Sequence, residues 1–496
     1  MSRTIAAKFE VNWTGGSDPS DWIDETSYLQ SATGSAQLAP AASALFASRG
    51  TADTMTVTLF DNARRFNPLN SSGALYSAIQ SGKAYHRPAR FSIQVSGGSW
   101  IRVFTGVLKL PKESGPTASE AGTVTFTVRS MDELYLNDRQ STTIANMALM
   151  AGEDEATIIE YWLDTSGVSV LDIEADPGMF QIPWSWLDDE SVIEDCWQLA
   201  SACGGRFYVD VDGQFCYENA YHWLTSPHTT SQQTYNRTTD YGKLSITLDD
   251  GDLFSDITVV AAARAAGPVG QLWAPDEPLV IPASTTKTVT ATLRQPLAGA
   301  EGTLSYTAVT TGGVAVTSGL SVGKTWYAQR CILTIANSNA FAVVLQQAAI
   351  TGTQLVGGNQ HEETAEFTNS FWTGRSRRVR RFTGNPYVQT PAQASALAEM
   401  MRDWSQAARL KYQLSNVVGN PERKLGDLIT IADSIMLAAG NRTAYITGLA
   451  WKWDSSGFTH TSIDCVDAAT LYPYAATGYF VIGTSLLGAG SKEVFY

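Results

Sequence analysis

A chain of 496 residues exceeds what one hydrophobic core supports, so about two to four domains are expected. Apolar residues make up 44% and charged residues only 17%, which excludes a disordered chain and leaves much of the surface neutral-polar or buried against partners. With 34 basic against 48 acidic side chains the net charge is −14, which argues against non-specific duplex binding, because phosphate contacts need clustered cations.

Five cysteines at 196, 203, 216, 331 and 465 show no CxxC spacing and are odd in number. Neither a disulfide framework nor a zinc site is expected from them. The N-terminal "MSRTIAAKFEVNWTGG" has no apolar h-region, and the apolar stretch "ITVVAAARAAG" is interrupted by Arg264. No export signal or membrane segment is therefore expected, and the chain is read as made in a cytoplasm.

Residues 1–138 read as strands. "TVTLFDNARRFNPLNSSGALYSAI" (56–79) begins with alternation, Thr56, Thr58 and Phe60 on one face and Val57, Leu59 and Asp61 on the other, then runs into turn chemistry. "RPARFSIQV", "WIRVFTGVLKL" and "GTVTFTVRS" resume the period of two between Gly, Ser and Pro clusters, as in a barrel or sandwich. Residues 139–225 change character. "TIANMALMAGEDEATIIEYW" and "SVIEDCWQLASACGG" carry helical spacing, the second capped by Asp188 or Asp189 and ended by Gly204-Gly205. "RFYVDVDGQFCYE" reads as a hairpin turning at Asp212-Gly213, giving a small α/β module.

Residues 266–365 are again β-rich, with turn signals at the spacing of an inserted β-sandwich. A helix is predicted at about 391–408, with Thr390 as cap and Pro391 at its first position. Residues 226–265 and 366–471 otherwise form one further β unit, and 472–496 an aromatic tail. That unit echoes the first: Phe104-Thr105-Gly106 and Ile446-Thr447-Gly448 sit in corresponding strands, each followed by an alternating strand ending in Asp and Leu. The fold class read from these patterns is mainly β, with two related β-barrels, a small α/β insertion and an additional β-sandwich insertion.

Apparent chemical motifs dissolve on inspection. "SGLSVGKTW" (318–326) has Ser318 where a phosphate loop needs glycine, and a strand-like segment follows instead of a helix. "DVDG" (210–213) has Tyr208 where a calcium loop needs a ligand, so a hairpin turn is the better reading. His86, His222, His228, His361 and His460 form no HxH or HExxH, and no GxSxG elbow is present. The acidic run Glu153, Asp154 and Glu155 suits the positive end of a helix better than general acid–base work. No catalytic residue, cofactor or metal site is assigned. "RSRRVRR" holds Arg375, Arg377, Arg378, Arg380 and Arg381 in seven positions of an acidic chain. It reads as a docking site for an acidic partner, as a solvated strand edge, or, third, as a DNA-holding patch.

In order along the chain, "TVTLFDNARRFNPLNSSGALYSAI…RPARFSIQV…WIRVFTGVLKL…VTFTVRSMDELYL", "SVIEDCWQLASACGGRFYVDVDGQFCYE" and "ERKLGDLITIAD…AYITGLAWKW…THTSIDCVD" resemble the tail-tip or baseplate hub proteins (minor tail proteins) of tailed bacteriophages. The resemblance implies a non-enzymatic structural protein with two tube-type β-barrels per chain, assembled as a homotrimer at the distal end of the virion tail. It would close the tail tube, match its six-fold symmetry to a three-fold, and hold a distal tail ring protein, a tape-measure protein and a tail fibre or receptor-binding protein. In that setting the 62–79 arm, anchored by Phe66, Pro68, Leu69, Leu75 and Tyr76, would reach a neighbouring barrel. The arginine stretch and the tail around Tyr479 and Phe480 would also face other chains. Two other readings stay open: a different tail component, such as a distal ring or receptor-binding protein, and a secreted carbohydrate-active β protein.

Overall fold

The computed structural model describes residues 4–16, 18–39, 49–50, 53–61, 64–80, 86–114, 122–132, 147–187, 191–249, 251, 253–299, 301–366, 376–405, 409–437 and 440–471. The fold is mainly β. The first unit holds β1 (Ile5–Asn12), β2 (Trp22–Asp24), β3 (Leu29–Ala39), β4 (Arg49–Gly50), β5 (Thr54–Phe60), helix α1 (Ala74–Gln80), β6 (Arg87–Val95), β7 (Trp100–Leu108), β8 (Lys112–Ser114) and β9 (Thr123–Arg129). Strict alternation decides which way these strands face. Met55, Val57 and Leu59 of β5 and Val124, Phe126 and Val128 of β9 point inward to meet Phe9, Phe91 and Ile93, while the intervening threonines face out. Each such fully buried side chain contributes about 1.5–3 kcal/mol. The ladder runs β1–β6–β7–β9–β5–β3, antiparallel throughout, and β8 prolongs β7 along β9.

The next segment contains β10 (Glu153–Asp154), helix α2 (Glu155–Thr165), β11 (Ile173–Ala175), β12 (Gln181–Ile182), helix α3 (Val192–Ala202), β13 (Arg206–Val209) and β14 (Phe215–Glu218). Of the helical spacing read from residue 143 onward, residues 143–146 lie outside the described residues, and the helix described here starts at Glu155. Gly152 has φ +72°, and Asp154 caps the helix by accepting from Thr157 N–H. Ser191 occupies the cap position of α3, and residues 188–190 lie outside the described residues. Gly204, at φ +69°, follows the end of that helix. The hairpin β13–β14 turns at Gly213, at φ +90°.

Then come β15 (Gln233–Asn236) and β16 (Tyr241–Asp249), followed by a long excursion: β17 (Asp256–Trp273), β18 (Leu279–Ile281), β19 (Thr285–Thr292), β20 (Thr303–Thr310), β21 (Leu320–Trp326), β22 (Arg330–Asn337), β23 (Val343–Glu366), β24 (Val379–Phe382) and helix α4 (Pro391–Trp404). β17 and β23 form one antiparallel ladder from Asp256–Glu366 to Trp273–Ile350, bulged at three places, one of them around Pro268. At its far end β18 and β20 join β23, a second sheet β19–β22–β21 faces them, and Leu272, Ile281, Leu333, Ile335 and Leu345 fill the space between. At its near end the ladder carries β24 and packs Ile257, Val259 and Ala365 against α4.

The packing crosses the expected boundary: Ile257, Val259 and Ala261 of β17, Phe382 of β24 and α4 share one core cluster with Trp162, Ile193, Leu199 and Phe207 of the α/β module, which Leu428, Tyr445 and Val466 also join. The physical reason is the amphipathic face of α4: Ala394, Leu397, Ala398 and Met401 are buried in that same cluster.

The second unit is completed by β25 (Arg409–Val418), β26 (Leu428–Ala432), β27 (Arg442–Asp454) and β28 (Gly457–Asp467), with helix α5 (Ala468–Leu471) after it. Its ladder runs β15–β26–β27–β28–β25–β16, around a core of Tyr235, Leu414, Ile429, Ile431, Ile446 and Ile463. Counted by their own six main strands, both units therefore share one order, 1-4-5-6-3-2. They differ in the direction of the first strand: β1 is antiparallel to β6, whereas β15 is parallel to β26. Each unit is a curled, open sheet, and no ladder joins β1 to β3 or β15 to β16 among the described residues.

The units are welded. β3 of the first pairs antiparallel with β27 of the second over Ala32–Gln37 and Gly448–Trp453. Trp451 lies on Phe91 with ring centroids 5.3 Å apart and planes 9° from parallel, so the first core includes a residue of the second unit. Gly34 sits beneath that indole, and any Cβ there would collide with it.

Candidate assembly surfaces

The arm after β5 is built on short-range caps. The Asp61 carboxylate accepts from Phe66 N–H, Asn67 Oδ1 accepts from Leu69 N–H at 2.8 Å, and Asn70 Oδ1 accepts from Ser72 N–H at 3.2 Å. These Asx-type bonds explain why Asp, Asn and Ser dominate the segment. Phe66 and Leu75 are buried in the chain's own first core. The Phe66 ring meets Phe126 and Tyr28 edge-on at 5.7 and 5.6 Å and Trp13 at 6.1 Å. Arg65 clamps the arm with a fork on Glu25, at 2.9 and 2.6 Å, and Trp13 Nε1 donates to the same carboxylate at 2.9 Å. Glu25 is 1% exposed.

Phe66 and Leu75 are thus intrachain anchors, which corrects their assignment to a partner surface: the apolar side chains fill the space above β5 and β9. Pro68 and Leu69 point outward, Leu69 at 87% exposure, and Tyr76 is half-buried. What the arm can offer another chain is its Pro68–Leu69 tip.

The arginine stretch is an edge strand. β24 pairs parallel with β17 on one side and is the last strand of the sheet among the described residues. Its charges find acids of the same chain. Arg377 bonds Asp256, with Nε–Oδ2 at 2.8 Å, and approaches Glu366 at 3.2 Å; Arg381 bonds Glu362. Arg378 and Arg380 lie over the Phe254 ring at 5.4 and 5.6 Å. These contacts suit the solvated-edge reading, because the guanidinium forks are already engaged. Arg375, Tyr479 and Phe480 lie outside the described residues.

A polar junction ties the α/β module to the second unit, and the sequence did not expose it. Glu218, on β14, accepts from Arg206 Nε at 2.9 Å and from Tyr208 O–H at 2.6 Å, and lies 3.5 Å from His222. His222 Nδ1 meets Asp176 at 2.8 Å. Burial opposes the charge on Glu218 and Asp176, but Arg206 for the first and His222 for the second more than offset it, so both carboxyls titrate below their ordinary range. Burial also opposes a charged His222, yet the Asp176 bond and nearby Glu218 outweigh it, and its pKa lies above the usual 6.5. The Arg206 guanidinium covers Trp223, which stacks on Tyr445 of β27 at 5.1 Å. Nearby, the turn carboxylates Asp210 and Asp212 take Lys424 of the second unit at 3.8 and 3.3 Å. That contact gives the "DVDG" turn a structural role.

A cavity of about 20 Å³ lies where the three parts meet, lined by Thr105, Val211, Pro421, Trp451 and His460 among others. It holds about one water, not a substrate. Among the described residues no group of three or more His, Cys, Asp or Glu is placed to hold a metal ion, and no helix is long and apolar enough to cross a membrane.

No family model matches the chain, and no curated protein matches it. Among solved structures it is similar to the 43 kDa tail protein of prophage MuSo2 from Shewanella oneidensis, at 11% identity, covering 94% of this chain and 99% of that one, with a TM-score of 0.47. It is also similar to a tail protein from Neisseria meningitidis MC58, at 8% identity, covering 95% and 99%, TM-score 0.48. A third is prophage tail protein gp18 from Listeria monocytogenes EGD-e, at 8% identity, covering 93% and 94%, TM-score 0.44.

Proposed function

We propose that this chain is the structural hub of a bacteriophage tail tip, a homotrimeric ring in the virion that closes the distal end of the tail tube. One observation carries the reading: a single polypeptide builds the same six-strand order twice and welds the copies through β3 and β27. A ring of three such chains presents six similar units, which is what a three-fold object needs in order to seat on a six-fold tube. The sequence resemblance to hub proteins points the same way. On this reading the ring holds a distal tail ring protein, a tape-measure protein and a fibre or receptor-binding protein until DNA ejection, and it is made in the host cytoplasm.

Native mass spectrometry of the full chain tests this. A species of three times the 53.5 kDa chain mass is expected; a stable six-copy assembly would favour a distal ring component instead.

A further inference from the structure

We propose, building on the ring reading above, that neighbouring copies of this chain join by a plug and a seat: the Pro68–Leu69 tip of one copy enters a cleft between the two β units of the next. The cleft measures about 320 Å³ and lies where the β6–β7 hairpin of the first unit faces the second unit. Val95 and Ile101 supply one wall and Val418 and Pro421 the other, so the seat depends on the β3–β27 weld that holds the units together. Its frame is fixed by hydrogen bonds. Asn420 Nδ2 donates to Gln233 Oε1 at 2.6 Å, and Val418 N–H donates to the Asp240 carbonyl at 2.8 Å. Val418 nonetheless leaves 46% of its surface in water. A cleft of this volume lies at the small end of ligand pockets and takes one or two side chains.

The plug is equally well formed. Successive turns run from the Arg64 carbonyl to Asn67 N–H at 3.2 Å, from Asn67 to Asn70 at 3.1 Å and from Asn70 to Gly73 at 2.8 Å. Asn70 Nδ2 adds a bond to the Arg64 carbonyl at 2.7 Å. The tip therefore gives up little conformational freedom on docking. It presents Pro68 and Leu69, the leucine 87% exposed, with Arg64 exposed on the same turn. The rim of the seat carries the opposite charge. Asp240 lies there, with Glu422, whose side chain is 63% exposed and reaches Arg423 only at 3.7 Å. Arg423 itself turns to Asp427 at 3.0 Å. An apolar knob beside a cation thus matches an apolar slot rimmed by acids, which is the layout of a specific contact between proteins.

Strand register excludes the chain's own cleft as the destination. β1 and β6 pair from Ile5–Val95 at one end to Val11–Ala89 at the other, a span of about 20 Å. Phe66, at the base of the tip, packs on Trp13 just past the Val11 end, while Val95 of the seat lies at the Ile5 end. The occupant is accordingly a second copy. Plug and seat are different surfaces, so the contact is heterologous, and three of them close a ring of three.

The test begins with substitutions in the full chain, with assembly read by native mass spectrometry across a concentration series. Leu69→Arg, Arg64→Glu and Glu422→Lys should each raise the concentration at half-assembly by at least about tenfold. Combining Arg64→Glu with Glu422→Lys should recover most of that loss, which no merely structural role predicts; loss without recovery counts against the pairing of plug and rim. A second variant, Leu69→Cys with Val418→Cys, is treated with a short bis-maleimide. The five native cysteines are buried and compete little. Covalent products rising to a three-chain species are expected from it, and dimers only from an equimolar mixture of the two single variants. A trimer that withstands all three substitutions and yields no cross-link overturns the seat and leaves the ring reading standing. A ladder that does not stop at three supports the seat and overturns the closed trimer. An unmodified chain that stays monomeric overturns both.

Discussion

Phe66→Ala removes a fully buried ring held between Trp13, Tyr28 and Phe126. Truncating a buried Phe costs about 3–5 kcal/mol through lost transfer energy and the cavity left behind. The edge-on partners at 5.6 and 5.7 Å place this site in the upper part of that range, since such pairs add about 0.5–1.5 kcal/mol each. The loss falls on the first unit, so the amides of β5 and β9 that exchange by opening of that unit should lose protection by about three to three and a half orders of magnitude, at about 1.4 kcal/mol per decade. Leu69→Ala, three residues along the same arm and almost fully exposed, should stay within about 0.5 kcal/mol of the unmodified chain. Hydrogen exchange with mass spectrometry reads both variants. Equal protection in the two would refute the division of the arm into a buried anchor and an exposed tip.

Gly106→Ala and Gly448→Ala occupy corresponding strands but should behave differently. A Cβ at Gly106 would fall on the Arg129 main-chain carbonyl, so overpacking of about 1–3 kcal/mol is expected, whereas at Gly448 it meets the movable Asp464 side chain at 3.2 Å and should cost little; chemical denaturation with a strand-specific fluorophore would check the contrast. Trp451→Ala breaks the stack on Phe91 and should cost about 3–5 kcal/mol, uncoupling the two β units so that one urea transition becomes two. A single unchanged transition would contradict the weld. His222 is raised above its unfolded value of 6.5, so its contribution is complete below about pH 6.5 and is lost as pH rises through the folded value. The stability difference between the unmodified chain and His222→Gln should accordingly shrink with rising pH; a difference that grew would reverse the sign of the coupling.

Local chemistry made some elements legible in the sequence. Alternation in β5 and β9 gives both strand and inward face, and Thr390-Pro391 marks the start of α4, where Thr390 accepts from Gln393 N–H at 3.0 Å. The echo between the Gly106 and Gly448 strands pointed to a shared strand order that only the pairings reveal. The β17–β23 ladder was not legible, because "AAARAAGPVG" has no alternation and its Gly and Pro read as a turn, while bulges accommodate them inside one long strand. Nor could sequence place α4: its apolar face is visible, but its partners α2, α3 and β17 are remote in the chain. The arm misled for a related reason. Turn chemistry from Asp61 to Ser72 suggests a surface loop, and nothing local shows that Phe66 drops into the core while Arg65 reaches back to Glu25. The arginine stretch leaves a docking site, a solvated edge and a DNA-holding patch open in the sequence, because Asp256, Glu362 and Glu366, which engage Arg377 and Arg381, lie on other strands.

Cryo-electron microscopy of the assembled full-length chain tests the central claim most directly. A closed particle of three copies with six β lobes of one strand order around a central channel is the expected result, true symmetry three-fold and lobe spacing close to sixty degrees. A particle with two or six copies, or a three-copy particle with only three such lobes around the axis, would contradict it.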